Sequence, residues 1–154
     1  MGETTQIEAT VTARADAPGF VRRALAIVVG ALFVYAGAIK LIHPVAFASD
    51  ITNYHIVPWS VAVRAALYLP WLEVLCGLAL IFHRLFEGAV RITAVLMVIF
   101  IAASVSARAR GINVSCGCFG SASGKLSFAW HLALDLALLA ILIALWFWPR
   151  LASR

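Results

Sequence analysis

Charge is what this chain has least of. Only 12% of its 154 residues are Asp, Glu, Lys or Arg, against 64% that are hydrophobic. A soluble domain carries about 25% charged and about 45–50% apolar residues, so that class is excluded. Disorder needs low hydrophobicity and much charge, and is excluded too. Cysteine is also scarce. Cys76, Cys116 and Cys118 are too few for a disulfide-stapled scaffold. Internal repeats and low-complexity segments are lacking. The basic excess of +5 does not gather into a Lys/Arg cluster on a polar face, as a nucleic-acid surface would require. The basic residues lie mostly at the edges of apolar runs, the pattern of bilayer anchoring. No nucleic-acid partner is expected.

What is present is four long apolar runs, about 24–42, 65–82, 88–107 and 128–148. Each can cross a roughly 30 Å hydrocarbon layer at about 1.5 Å per residue. Backbone groups in lipid must be satisfied internally, so the runs must be helices. The short link at 83–87 makes its neighbours antiparallel. The expected fold is an all-α integral membrane protein, an antiparallel four-transmembrane-helix bundle over residues 20–149 in contact with the lipid bilayer. Residues 1–19, ending in Pro18-Gly19, read as a flexible tail, and 150–154 as a short C-terminal one. Ala46-Phe47-Ala48 resembles a signal-peptide cleavage box. The first run is long, its preceding tail is not notably basic, and Lys40 and His43 intervene, so retention is expected.

Lys and Arg counts set the orientation. With the N-terminus cytoplasmic, seven basic residues lie inside (Arg14, Arg22, Arg23, Arg84, Arg91, Arg150 and Arg154). Five lie at or towards the outside (Lys40, Arg64, Arg108, Arg110 and Lys125). The bias favours both termini inside. Trp148 suits an anchor at one interface, and Trp59 and Trp130 at the other. The first outer loop, 44–63, opens on Pro44, a good first helical residue. Phe47, Ile51 and Tyr54 recur at helical spacing, which predicts a short helix lying on the bundle and ending near Pro58.

The sharpest motif is Ser115-Cys116-Gly117-Cys118-Phe119-Gly120, between the third and fourth runs. In the favoured orientation it faces outside, where disulfides persist. A ring closed by Cys116 and Cys118 is small and strained, and strained disulfides are easily reduced. Gly117 eases its closure. Such a pair suits electron exchange. A passive staple would add little, because the closed loop has almost no length. Idle thiols and a soft-metal site are the other readings, since adjacent thiolates suit Cu(I) or zinc. Two thiolates do not close a zinc site, and His131 would complete it only in part, so no metal centre is assigned. Cys76, deep in the second run, reads as a small buried apolar residue.

Lys40, Glu73 and Asp135 lie within or at the end of apolar runs. Charge inside a bilayer is expensive, so such residues are usually paired or functional. In a four-span bundle the end of the first run and the starts of the second and fourth share one side, which also carries the cysteine loop. His131 is one helical turn before Asp135. Gly77 would let another helix approach closely. A polar cluster of Lys40, Glu73, His131 and Asp135 is therefore expected beneath Cys116 and Cys118. Cations favour the thiolate that attacks a disulfide, and Lys40, Arg108, Arg110 or His131 would supply one. An acid and a histidine would handle the protons a quinone acceptor needs. The bland alternative is a Lys–carboxylate pair that only locks helices.

These features resemble the MauE branch of the DoxX-like membrane proteins. The resemblance rests on Tyr35-Ala-Gly-Ala-Ile-Lys40-Leu-Ile-His-Pro44, Phe47, Tyr54 to Pro58, Leu69-Pro-Trp-Leu-Glu73 with Gly77, Cys116-Gly-Cys-Phe-Gly120, and Asp135. It covers about residues 20–148. It implies a four-helix bundle of the bacterial inner membrane with Cys116 and Cys118 as the redox pair, and with Lys40, Glu73 and Asp135 as its buried polar positions. It also implies a thioredoxin-like extracytoplasmic partner and quinone-coupled redox chemistry among relatives; MauE itself is linked to methylamine metabolism through maturation of a periplasmic enzyme, a role the resemblance does not by itself extend to this chain. The resulting expectation is a membrane thiol–disulfide redox protein. The alternative is a non-catalytic membrane subunit or assembly factor that anchors a soluble redox enzyme. The sequence does not assign the oligomeric state.

Overall fold

The computed structural model describes the backbone of residues 3–111 and 128–151, and the side chains of 19–111 and 129–147. Five helices follow one another: α1 (Glu3–Ile42), α2 (Pro44–Asn53), α3 (Trp59–Ile81), α4 (Phe86–Ala109) and α5 (Phe128–Leu151). Prolines set several of their ends. Pro44 has no N–H to continue α1 and restricts the residue before it. His43 accordingly leaves the helical region, at φ −124° and ψ 61°, and α2 restarts with proline in its first turn. Pro58 sits at φ −69° and ψ 158° as the N-cap of α3. The short outer helix expected from Pro44, Phe47 and Ile51 is thus present, and it ends at Asn53.

Four segments are long and apolar enough to span a membrane: Gly19–Ile42, Trp59–Ile81, Phe86–Ala109 and Ala129–Phe147. They form the expected four-helix membrane bundle. Each packs on its neighbours in the chain, and α5 closes the ring against α1. Two boundaries differ from the sequence reading. The second span begins at Trp59 rather than near 65, because a helix can start directly after Pro58 and the polar Ser60 and Arg64 ride in its first turns. At the N-terminus, helix α1 already runs from Glu3, so the segment expected to be a tail is continuous with the first span.

The inner core is small and tight. Ala26, Val29, Leu80, Val90, Leu142 and Leu145 are almost wholly buried. A second cluster forms where Phe47 and Ala48 of α2 pack on Ala66 of α3, bordered by Ile51, Val63, Leu69 and Phe100. This cluster seats α2 across one end of the bundle. The outer face is apolar as well: Tyr68, Trp71 and Leu75 of α3 and Val95, Val98 and Ile99 of α4 are exposed. Such a face is stable against lipid, not water. Trp59 and Trp130 are exposed near the same end of the bundle, as interfacial anchors should be.

Candidate functional site

The site begins with a buried lysine. Lys40 lies in the last turn of α1 and Glu73 within α3. Counting from Trp59, Glu73 is roughly 21 Å along its helix, deeper than a start near 65 would have placed it. Both side chains are buried, at 3% and 2% exposure, and they meet as an ion pair. Lys40 Nζ donates to Glu73 Oε1 at 2.6 Å and to Oε2 at 2.8 Å. Two rings complete its surroundings: Nζ is 4.7 Å from the centroid of Phe100 on α4 and 5.0 Å from that of Phe47 on α2. Aromatic faces attract a cation most strongly when it is stripped of water.

Asp135 faces the same interior from α5. It is 2% exposed, and its Oδ2 has no hydrogen-bond partner among the described residues. It lies within electrostatic reach of His131 and Lys40. A cavity bounded by Phe33, Lys40, Glu73, Phe100, Asp135 and Leu138 separates it from the pair. The cavity has about 20 Å³ for the centres of water-sized molecules, room for about one water.

The structure therefore brings Lys40, Glu73 and Asp135 to one cavity lined by all four spans. His131 is also buried, one turn from Asp135 towards the start of α5. Cys116 and Cys118 lie outside the described residues. They lie between the end of α4 at Ala109 and the start of α5 at Phe128, at the same end as Lys40. Cys76 is buried beside Thr93, as its mid-span position predicted, and forms no disulfide among the described residues.

Close helix approach sets this geometry. A Cβ on Gly77 would stand 2.6 Å from the carbonyl oxygen of Gly30, and one on Gly30 would stand 2.6 Å from that of Gly77. A Cβ on Gly37 would stand 2.8 Å from the carbonyl oxygen of Pro70. Helices α1 and α3 thus touch backbone to backbone, which brings the end of one within reach of Glu73 on the other. Only Gly77 was legible as a contact point from the sequence. Gly30 and Gly37 carry the same signal, two small residues on one face seven positions apart.

Arg110, one of the four cations that could favour a thiolate, donates to backbone carbonyls instead. Its Nη2 donates to the Tyr54 carbonyl at 2.7 Å, its Nη1 to the His55 carbonyl at 3.3 Å, and its Nε to the Ser106 carbonyl at 3.1 Å. It ties the end of α4 to the turn after α2, where His55 holds φ 51°. No local pattern announces a contact between residues 54 and 110. Arg110→Gln should free this turn at about 1–2 kcal/mol of local stability. Hydrogen exchange should then quicken roughly tenfold across 44–57 and stay unchanged in the middle of α4.

A family model described as methylamine utilisation protein MauE matches residues 18–149. The chain belongs to the MauE family. The match spans all four membrane helices together with α2, Lys40, Glu73, both loop cysteines and Asp135. No curated protein and no solved structure matches the chain. This MauE-family chain is a multi-pass membrane protein whose buried ionisable side chains converge inside the bundle from three helices, α1, α3 and α5.

Proposed function

We propose that this protein is a membrane thiol–disulfide relay. Cys116 and Cys118 exchange electrons with a thioredoxin-like protein outside the membrane, in the maturation of a periplasmic or secreted protein. The observation supporting this reading is the convergence of Lys40, Glu73, His131 and Asp135 beneath the end of the bundle that carries the cysteine loop. A buried pair serving only to hold two helices needs no second carboxyl group and no cavity.

In the oxidising direction, a thiolate of the partner attacks one sulfur of the Cys116–Cys118 disulfide. That bond breaks, a mixed disulfide forms and the other cysteine leaves as a thiolate. The partner's second thiol then resolves the mixed disulfide, so the partner emerges oxidised and this protein reduced by two electrons. In the reducing direction the same steps run backwards. Either direction moves protons with the electrons, and the His131–Asp135–cavity–Glu73 series is a route for them below the loop. The exchange requires a two-electron carrier on the membrane side, and a quinone is the candidate by chemical class. The bacterial inner membrane, with both termini cytoplasmic and the loop outside, is the location this reading needs. The modest bias in basic residues supports it. The family description connects the role with methylamine utilisation.

The test is thiol trapping in intact cells with a membrane-impermeant alkylating reagent, followed by mass spectrometry of Cys116 and Cys118. Labelling that appears only after mild reduction is expected. Full labelling without reductant would mean free outward thiols. Labelling only after the membrane is broken would place the loop inside and remove the extracytoplasmic relay. Replacing either loop cysteine with Ser should abolish turnover, and wild-type function in the double variant would refute the role.

A further inference from the structure

The end of the bundle opposite the cysteine loop gathers arginines that pair with no carboxylate among the described residues. Arg22 is near the start of the first span, with its guanidinium 4.6 Å from the centroid of the Phe86 ring. Its Nε is buried and lacks a hydrogen-bond partner among the described residues. The His83 ring lies 4.2 Å from the same Phe86 ring, in the turn joining α3 to α4. Burial, followed by the charges of Arg22 and Arg23, pushes the His83 imidazole below its usual range; Arg23 follows Arg22 directly in α1. Arg84 follows directly in the chain and is exposed. Glu87, three residues after Arg84, is held by Arg91 at 3.2 Å. No described carboxylate pairs with Arg22, Arg23 or Arg84.

Apolar side chains surround these cations. Phe20, Phe82 and Leu85 are 76%, 68% and 87% exposed. Arg22 and Phe86 each stand at the beginning of a membrane span, so the guanidinium lies where hydrocarbon gives way to headgroups. A buried N–H donor is costly to leave unmet, and an unneutralised arginine pair calls for an anion. We propose that Arg22, Arg23 and Arg84 form a binding site for the phosphate group of an anionic phospholipid, with its acyl chains lying along Phe20, Phe82 and Leu85. Arginine is suited to this because its planar fork meets phosphate oxygens in pairs. A zwitterionic headgroup carries its own cation and gains less from the site.

The test uses the full chain purified in neutral detergent. Its thermal midpoint is followed while phosphatidylglycerol, phosphatidylcholine with the same acyl chains, or inorganic phosphate is added at constant ionic strength. Phosphatidylglycerol is expected to raise the midpoint saturably, and the other two to do little. Each arginine removed should weaken the apparent affinity roughly fivefold, so R22Q/R23Q should lose about 25-fold. Arg64→Gln, at the far end of the bundle, should lose nothing. R22K, which keeps the charge but not the planar fork, should fall between wild type and R22Q, and serves as the comparison where R22Q folds poorly. Equal shifts with both lipids, or an unchanged response in R22Q/R23Q, would overturn the site. Protection by inorganic phosphate with no preference between the lipids would overturn its assignment to a membrane lipid.

Discussion

Replacing Glu73 with alanine is expected to cost about 3–5 kcal/mol of stability, because it leaves the buried Lys40 ammonium without its counter-ion. Both partners are almost fully buried and joined through two hydrogen bonds, so neither can turn to water. The rings of Phe47 and Phe100 keep attracting the cation but accept no hydrogen bond of comparable strength. Denaturant unfolding in detergent would measure the loss, and Lys40→Ala should show a similar one. The instructive comparison is the double variant K40M/E73L. Apolar replacement of a whole buried pair is often neutral, or stabilising by about 1–4 kcal/mol. The double variant should therefore fold as well as wild type or better. If the pair takes part in the relay, the same variant should be inactive. A stable and fully active double variant would show that the pair only locks α1 to α3, and would remove proton handling from the proposed function.

The fold was legible in the sequence for one dominant reason: a bilayer imposes the same rule on every spanning segment. Four apolar runs required four helices before any packing was known, and Pro44 marked the start of α2. Boundaries were less legible. Residues 59–64 mix Trp59 and Val61 with Ser60 and Arg64, and their average hides a helix that begins at Pro58. The polar cluster was legible because ionisable residues inside apolar runs are costly, and Lys40, Glu73 and Asp135 stood out for that cost. How they divide was not. Which carboxyl group takes the lysine depends on the crossing of α1 and α3, and thus on Gly30, Gly37 and Gly77 together. The contacts of Phe47 and Phe100 with Lys40, and the reach of Arg110 to Tyr54 and His55, join residues far apart in the chain and leave no mark in local pattern.

That crossing leads to the second large effect. Gly77→Leu is expected to destabilise the bundle at or beyond the upper end of the roughly 1–3 kcal/mol typical of overpacking. The obstacle is backbone: the first added carbon would meet the Gly30 carbonyl oxygen at 2.6 Å, and the Val34 side chain and backbone nitrogen crowd the same space. A flexible side chain could move aside, but a helical carbonyl moves only with its helix. Separation of α1 from α3 is therefore the way the clash is relieved, and it stretches the short bonds from Lys40 to Glu73 as well. Gly77→Ala should show a smaller loss of the same kind, and so should Gly30→Ala from the facing helix. Unfolding in detergent gives the stability change. The site can be read separately by comparing Gly77→Leu in the wild-type and K40M/E73L backgrounds. If the helix crossing positions the ion pair, part of the loss should vanish when the pair is already gone, so the two changes will not add. Strict additivity would mean that the glycine contact and the ion pair stabilise the bundle independently, and that the pair tolerates the displaced helices without strain.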